Sequence, residues 1–283
     1  VLKRKRALTA DNDNAAGEPR ASVMPREHGA WVLLYGPLAL GAAAGGTHYV
    51  LDLLLLVGAS TGFFIAQHGI RAWLVSRGKT QMLRGAILWT LTGLICGAAL
   101  LARMRSPTLA AIGLIAGALC AVMVALSRRP VRKRFERTIR GEAAAVLGLS
   151  LTGPAAVLVA RGSDTLAACV YFDSVLFFLG GVLSVEAILA GVRQFPMETL
   201  RSRFQVMWMV VADHILLLIA AALLWARNPA GIAALIAVVP AILRVCWDWR
   251  RLGEMPKSLR RIGVRETLIA VWFVVFSAAA LHR

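Results

Sequence analysis

Negative charge, paired cysteines and catalytic signatures are all in short supply in this sequence. Charged residues make up only 17%, and 15 Asp and Glu stand against 32 Lys and Arg. The four cysteines, Cys96, Cys120, Cys169 and Cys246, lie singly inside apolar runs with no CxxC spacing. That argues against a disulfide framework or a metal ribbon and reads as small buried apolar residues. There is no P-loop, no dinucleotide glycine fingerprint and no GxSxG elbow. The five histidines, His28, His48, His68, His214 and His282, include no HExxH or HxxxH pair. A zinc or haem site would have to be assembled across helices, so no metal and no cofactor is expected.

What the sequence has in abundance is apolar length. At 58% hydrophobic residues and a mean hydropathy of +0.68, it carries more apolar area than a water-soluble domain can bury. A hydrocarbon core of about 30 Å takes about 20 helical residues, and backbone groups in lipid must be satisfied within the segment. The period-2 alternation of a membrane barrel is absent. The pattern predicts an all-α, polytopic bundle of nine transmembrane helices, at about 29–46, 50–74, 83–102, 107–126, 141–160, 167–190, 206–226, 230–246 and 263–281. Pro154, Gly180-Gly181 and Pro240 interrupt spans but are tolerable in a bundle. Gly93 and Gly97, like Gly113 and Gly117, have the GxxxG spacing that permits close helix approach. Residues 1–24 form a basic, polar tail, expected to be disordered, with no apolar run following to make a signal peptide. Residues 25–283 read as one membrane domain. The opening Val1 in place of Met points to an alternative start codon or to a missing residue.

The net charge of +17 would suggest nucleic acid in a soluble protein. Here the bases flank apolar helices, where insertion polarity and anionic lipid account for them, so nucleic acid is set aside and membrane lipids are the expected partners. With nine spans the loops alternate sides. One side carries the N-tail and loops 2/3, 4/5, 6/7 and 8/9 with 26 Lys and Arg, the other carries 5, and Arg244 lies inside a span. The positive-inside rule then puts the N-terminus in the cytoplasm and the C-terminus outside, in a bacterial inner membrane.

Ionisable residues inside or at the edge of spans are costly and point to function by default. Most fall at the cytoplasmic pole: Glu27 and His28 at the start of helix 1, Gln67, His68 and Arg71 near the inner end of helix 2, Glu142 opening helix 5, and Glu186 near the end of helix 6. Asp213 and His214 lie two turns into helix 7, Arg244 in the last turn of helix 8 and Glu266 in the first turn of helix 9. Asp52 and Asp173 lean towards the other face. Glu142 and Glu266 also suit a helix dipole. Gln67, His68 and Arg71 share a helix face and could present donors to an anion, or Arg71 could snorkel to the headgroups. Asp213 is too deep to snorkel, so it is expected to be protonated or paired with a base such as Arg244 or Arg71; His214, about 100° away, reads as a separate interhelical bond.

Four segments resemble one family. Met24-Pro25-Arg26-Glu27-His28-Gly29-Ala30-Trp31 with Pro37 is similar to the opening of the YwiC-like family of bacterial membrane proteins. Arg140-Gly141-Glu142 with Gly148-Leu149-Ser150 and Pro154, Phe178-Leu179-Gly180-Gly181-Val182-Leu183, and Lys257-Ser258-Leu259-Arg260-Arg261-Ile262-Gly263 with Glu266 resemble later segments. After the Gly-Gly-Val segment this chain has Ser184 and Glu186, where the family tends to a Tyr and a base. The resemblance implies a membrane protein of unassigned activity. A more distant architectural analogy is with UbiA-type intramembrane prenyltransferases, which hold magnesium diphosphate on aspartate-rich loops. Loop 2/3 here offers no Asp, and a hard cation needs carboxylates.

Three readings follow. The first is a protein that binds or modifies a lipid-phase molecule with an anionic head group at a cytoplasmic-side pocket. Its candidate lining is Glu27, His28, Gln67, His68, Arg71, Glu142, Glu186, Asp213, Arg244 and Glu266. The second is a secondary transporter, suggested by Asp213 and the interrupted spans. The third is a membrane scaffold or assembly factor.

Overall fold

The computed structural model describes residues 28–46, 49–75, 80–126, 138–193, 199–254 and 259–281. The tail, Glu27 and the loop bases from Arg128 to Arg137 lie outside the described residues. Among the described residues the fold is entirely helical. In chain order the helices are α1 (His28–Gly45), α2 (Val50–Val75), α3 (Thr80–Met104), α4 (Pro107–Leu126), α5 (Ile139–Ser150), α6 (Thr152–Val159), α7 (Asp164–Arg193), α8 (Leu200–Arg227), α9 (Ile232–Arg250) and α10 (Leu259–Leu281). Eight described segments, with Ile139–Val159 taken as one, are long and apolar enough to cross a membrane; Gly29–Gly45 is a shorter apolar helix. Together they coincide with the nine spans expected from the sequence.

Helix ends run past the apolar stretches wherever caps continue the backbone bonding. Thr199 caps α8 by accepting at Oγ1 from Ser202 N at 3.2 Å, so α8 starts six residues before its apolar run. Thr138 caps α5 in the same way through Gly141 N. The fifth span is not one helix. Pro154 has no N–H to give the Ser150 carbonyl, four residues back, and its ring crowds that carbonyl. The chain answers with a break at Leu151, where the Thr152 hydroxyl lies 2.8 Å from Leu149 O and 3.0 Å from Leu34 O of α1.

Five helices close a ring: α7 packs on α8, α8 on α9, α9 on α10, α10 on α1 and α1 on α7. Its interior holds the larger core, including Leu40, Val170, Phe177, Phe178, Leu217, Val238 and Phe273. The short α5 and α6 back onto α1 and α7, and the α2–α3 hairpin with α4 lies beyond them. α1 and α6 approach closely because Gly41 faces the carbonyl of Gly153, where a Cβ would collide. In the hairpin, a Cβ on Gly62 would lie 2.7 Å from Gly93 N. Of Gly93, Gly97, Gly113 and Gly117, Gly93 alone serves a tight crossing; around Gly113 and Gly117 there is nothing within 4 Å. Spacing marks a surface that permits close approach, and a partner helix must also be there.

Candidate functional site

The polar residues gather where α7, α8, α9 and α10 meet. Arg244, on α9, is 4% exposed. Its Nη1 donates to Glu266 Oε2 on α10, and its Nη2 lies 2.9 Å from His214 Nε2 on α8. The other imidazole nitrogen, Nδ1, lies 2.8 Å from the Val210 carbonyl. A guanidinium can only donate, and a carbonyl can only accept. The ring is therefore the neutral tautomer with its proton on Nδ1. Arg265 completes the network. Its Nη1 and Nη2 donate to the two oxygens of Asp248 at 2.8 and 3.1 Å, a fork-to-fork pair. Its Nη2 also donates to Glu266 Oε1 at 3.0 Å.

Asp213 sits at the edge of this network. It is 6% exposed, its Oδ2 is 3.4 Å from His214 Nδ1, and that oxygen has no hydrogen-bond partner. The Arg244 guanidinium lies near enough to attract Asp213 but makes its hydrogen bonds to Glu266 and His214. The Nε of Arg244 is likewise buried without a partner. Space for the carboxyl comes from α7: a Cβ on Gly180 would collide with Asp213 Oδ2 and come within 2.7 Å of the His214 ring. Gly181 faces Arg244 and Glu266 at 3.7 and 3.9 Å.

Of the ten candidate residues, Asp213, Arg244 and Glu266 thus converge. Gln67, His68 and Arg71 are half-buried in the last turns of α2, which packs on α1, α3, α4 and α6 rather than on α8 to α10. His68, Arg71 and Glu142 have interaction partners of their own. Glu142 is in the first turn of α5. Glu186 is half-buried on α7, beyond Gly181. His28 begins α1, and Glu27 lies outside the described residues. Two members were missed. Asp248, 5% exposed, was hidden among Trp247, Trp249 and Arg250, which read as an interfacial belt. Arg265 was counted as a loop base. The available signal was spacing: Asp248 is four residues after Arg244 and therefore on the same face of α9.

At the opposite end of the spans, Asp52 of α2 accepts from Arg103 Nε of α3 at 2.5 Å. Asp173, deep in α7, faces Ser277 of α10. On the lipid-facing side of the α8–α9 pair lies a groove of about 510 Å³, lined by Val211, His214, Ile215, Leu218, Ile242, Val245, Cys246, Trp249 and Arg250. His214 belongs to both the groove and the buried network, and no group of three or more His, Cys, Asp or Glu able to hold a metal occurs among the described residues.

Residues 24–157 match the model of the family described as YwiC-like protein. No curated protein and no solved structure matches the chain. The matched stretch runs from just before α1 to within two residues of the end of α6. It includes the opening motif and the Pro154 break, and the ionic network lies after it. The spans make the chain a multi-pass membrane protein, and its residues 24–157, somewhat less than half of its length, are similar to the YwiC-like family.

Proposed function

We propose that this protein binds an amphiphile from the lipid phase, with its apolar tail along the α8–α9 groove and its anionic head at the Arg250 end. The observation that carries the reading is the groove itself. Seven of its nine lining residues, counting Cys246 and Trp249, are apolar or weakly polar, one end bears a guanidinium, and its wall includes His214, which Arg244 fixes from behind. Apolar walls with one or two convergent polar groups are the ordinary make-up of a small-molecule site. A guanidinium suits a phosphate or carboxylate head because it can donate in a fork. Arg250 ends α9 at the same pole where α1 begins, the base-rich pole, which the positive-inside rule assigns to the cytoplasm of a bacterial inner membrane.

The test is lipid mass spectrometry of the protein purified in mild detergent. The expected result is a retained anionic amphiphile that is lost when the groove is filled by Cys246→Trp and depleted by Arg250→Gln. It should remain in Leu268→Trp, which places the same indole on an exposed face of α10. Equal retention in all four proteins, or none in the wild type, would overturn the proposal.

A further inference from the structure

A second polar level lies in the ring, separated from the first by aromatic rings. On α7, Asp173, Phe177, Gly180 and Ser184 recur at four, three and four residues and so share one face. On α10, Glu266, Phe273 and Ser277 do the same. The two faces run antiparallel in matching register: Gly181 lies near Glu266, Phe177 stacks on Phe273 with centroids 3.8 Å apart and planes 8° apart, and Asp173 meets Ser277. Asp173 is 7% exposed and its Oδ2 has no hydrogen-bond partner; Ser174, fully buried, has an unpartnered Oγ. Gly180, against Asp213, is seven residues beyond Asp173, which at 1.5 Å per residue separates the two levels by roughly 10 Å.

We propose that Asp213 and Asp173 are the two proton-carrying groups of a route through the five-helix ring, and that the Phe177–Phe273 stack closes it. Buried carboxyls inside a bundle, each with an oxygen left without a partner, are what a relay needs, and they are otherwise expensive. Against Asp213 stand His214 on its own helix, the Arg244 guanidinium of α9 and Gly180 of α7; Arg244 leads on through Glu266 of α10 to Arg265 and Asp248. Three carboxylates against two guanidiniums and a neutral imidazole leave the inner level one negative charge in excess, and one proton on Asp213 removes it. Asp173 faces the hydroxyl of Ser277. In the step proposed, the acid proton of Asp213 passes to the carboxylate of Asp173 through water admitted when the rings part. For net passage Asp173 then releases that proton to water on its side of the stack and Asp213 takes another from water on the base-rich side, so one proton enters for each that leaves and no other reactant is consumed. The inference stands apart from the groove reading, since neither carboxyl of the route nor either ring of the stack lines the groove.

The experiment is proton flux into liposomes containing the full chain, read by an entrapped pH-sensitive dye under a potassium diffusion potential. The wild type, with the stack closed, should differ little from protein-free liposomes. Phe273→Ala should leak protons, and adding Asp213→Asn or Asp173→Asn should return the leak to the protein-free level. Phe177→Leu, a smaller change, should give a weaker leak with the same dependence and covers failure of Phe273→Ala to fold. A flux that survives both Asn substitutions, a leak that carries potassium equally well, or no leak from either folded Phe variant would overturn the proposal.

Discussion

At the scale of single residues, glycine positions decide whether charges can enter the ring. Gly180 leaves room for a carboxyl and an imidazole that any side chain would displace, whereas Gly113 faces nothing within 4 Å. Overpacking a filled site costs about 1–3 kcal/mol. Gly180→Ala should therefore lower the melting temperature in detergent, while Gly113→Ala should leave it unchanged or raise it. Equal behaviour of the two would mean that Asp213 and His214 are not held against α7. Both glycines were visible in the sequence, one in a Gly-Gly pair and one in a GxxxG spacing. Their difference was not, because a spacing gives a helix face and says nothing about what stands opposite it.

At the scale of helices, what sequence periodicity reported well was the lipid-immersed length. Each of the nine apolar runs falls on described helix, eight of them long enough to cross a membrane and Gly29–Gly45 shorter, because backbone bonding in hydrocarbon leaves few alternatives. The caps at Thr138 and Thr199 and the break at Leu151 needed local hydrogen-bond geometry. The α1–α6 contact depends on two facing glycines, Gly41 and Gly153, whose helices cross with backbone nearly touching backbone. Gly41→Val should separate these helices and lower thermal stability by more than Gly97→Val, whose added Cβ would find its nearest neighbour at an ordinary 3.9 Å. A melting curve for each variant in the same detergent checks this, and a larger loss from Gly97→Val would contradict it.

For the molecule as a whole, we propose nine crossings with the N-terminal end in the cytoplasm and the C-terminal end outside, a reading supported by the excess of bases at one pole. A reporter active only outside the cytoplasm should work when fused after Leu281 and fail when fused before α1. Activity at both ends or at neither would require a different number of crossings. The sequence also marked Asp213, Arg244 and Glu266 as costly groups. It could not show that α8, α9 and α10 are neighbours while α2 is remote from them, because helix order along a chain leaves lateral order open. For that reason Gln67, His68 and Arg71 were grouped with residues that the ring does not bring to them, and Asp248 and Arg265, whose bidentate pair joins α9 to α10, were passed over.

The central claim is that Arg244 ties α8, α9 and α10 together through Glu266 and His214 inside the membrane. Breaking one side of a buried ion pair costs about 3–5 kcal/mol because the remaining charge is stranded, whereas replacing both members by apolar residues is often neutral. The direct measurement is a double-mutant cycle of Arg244→Met and Glu266→Leu on thermal unfolding in one detergent. The account predicts marked loss for each single variant and a double variant that loses clearly less than the two combined. Strict additivity, or single variants as stable as the wild type, would contradict it.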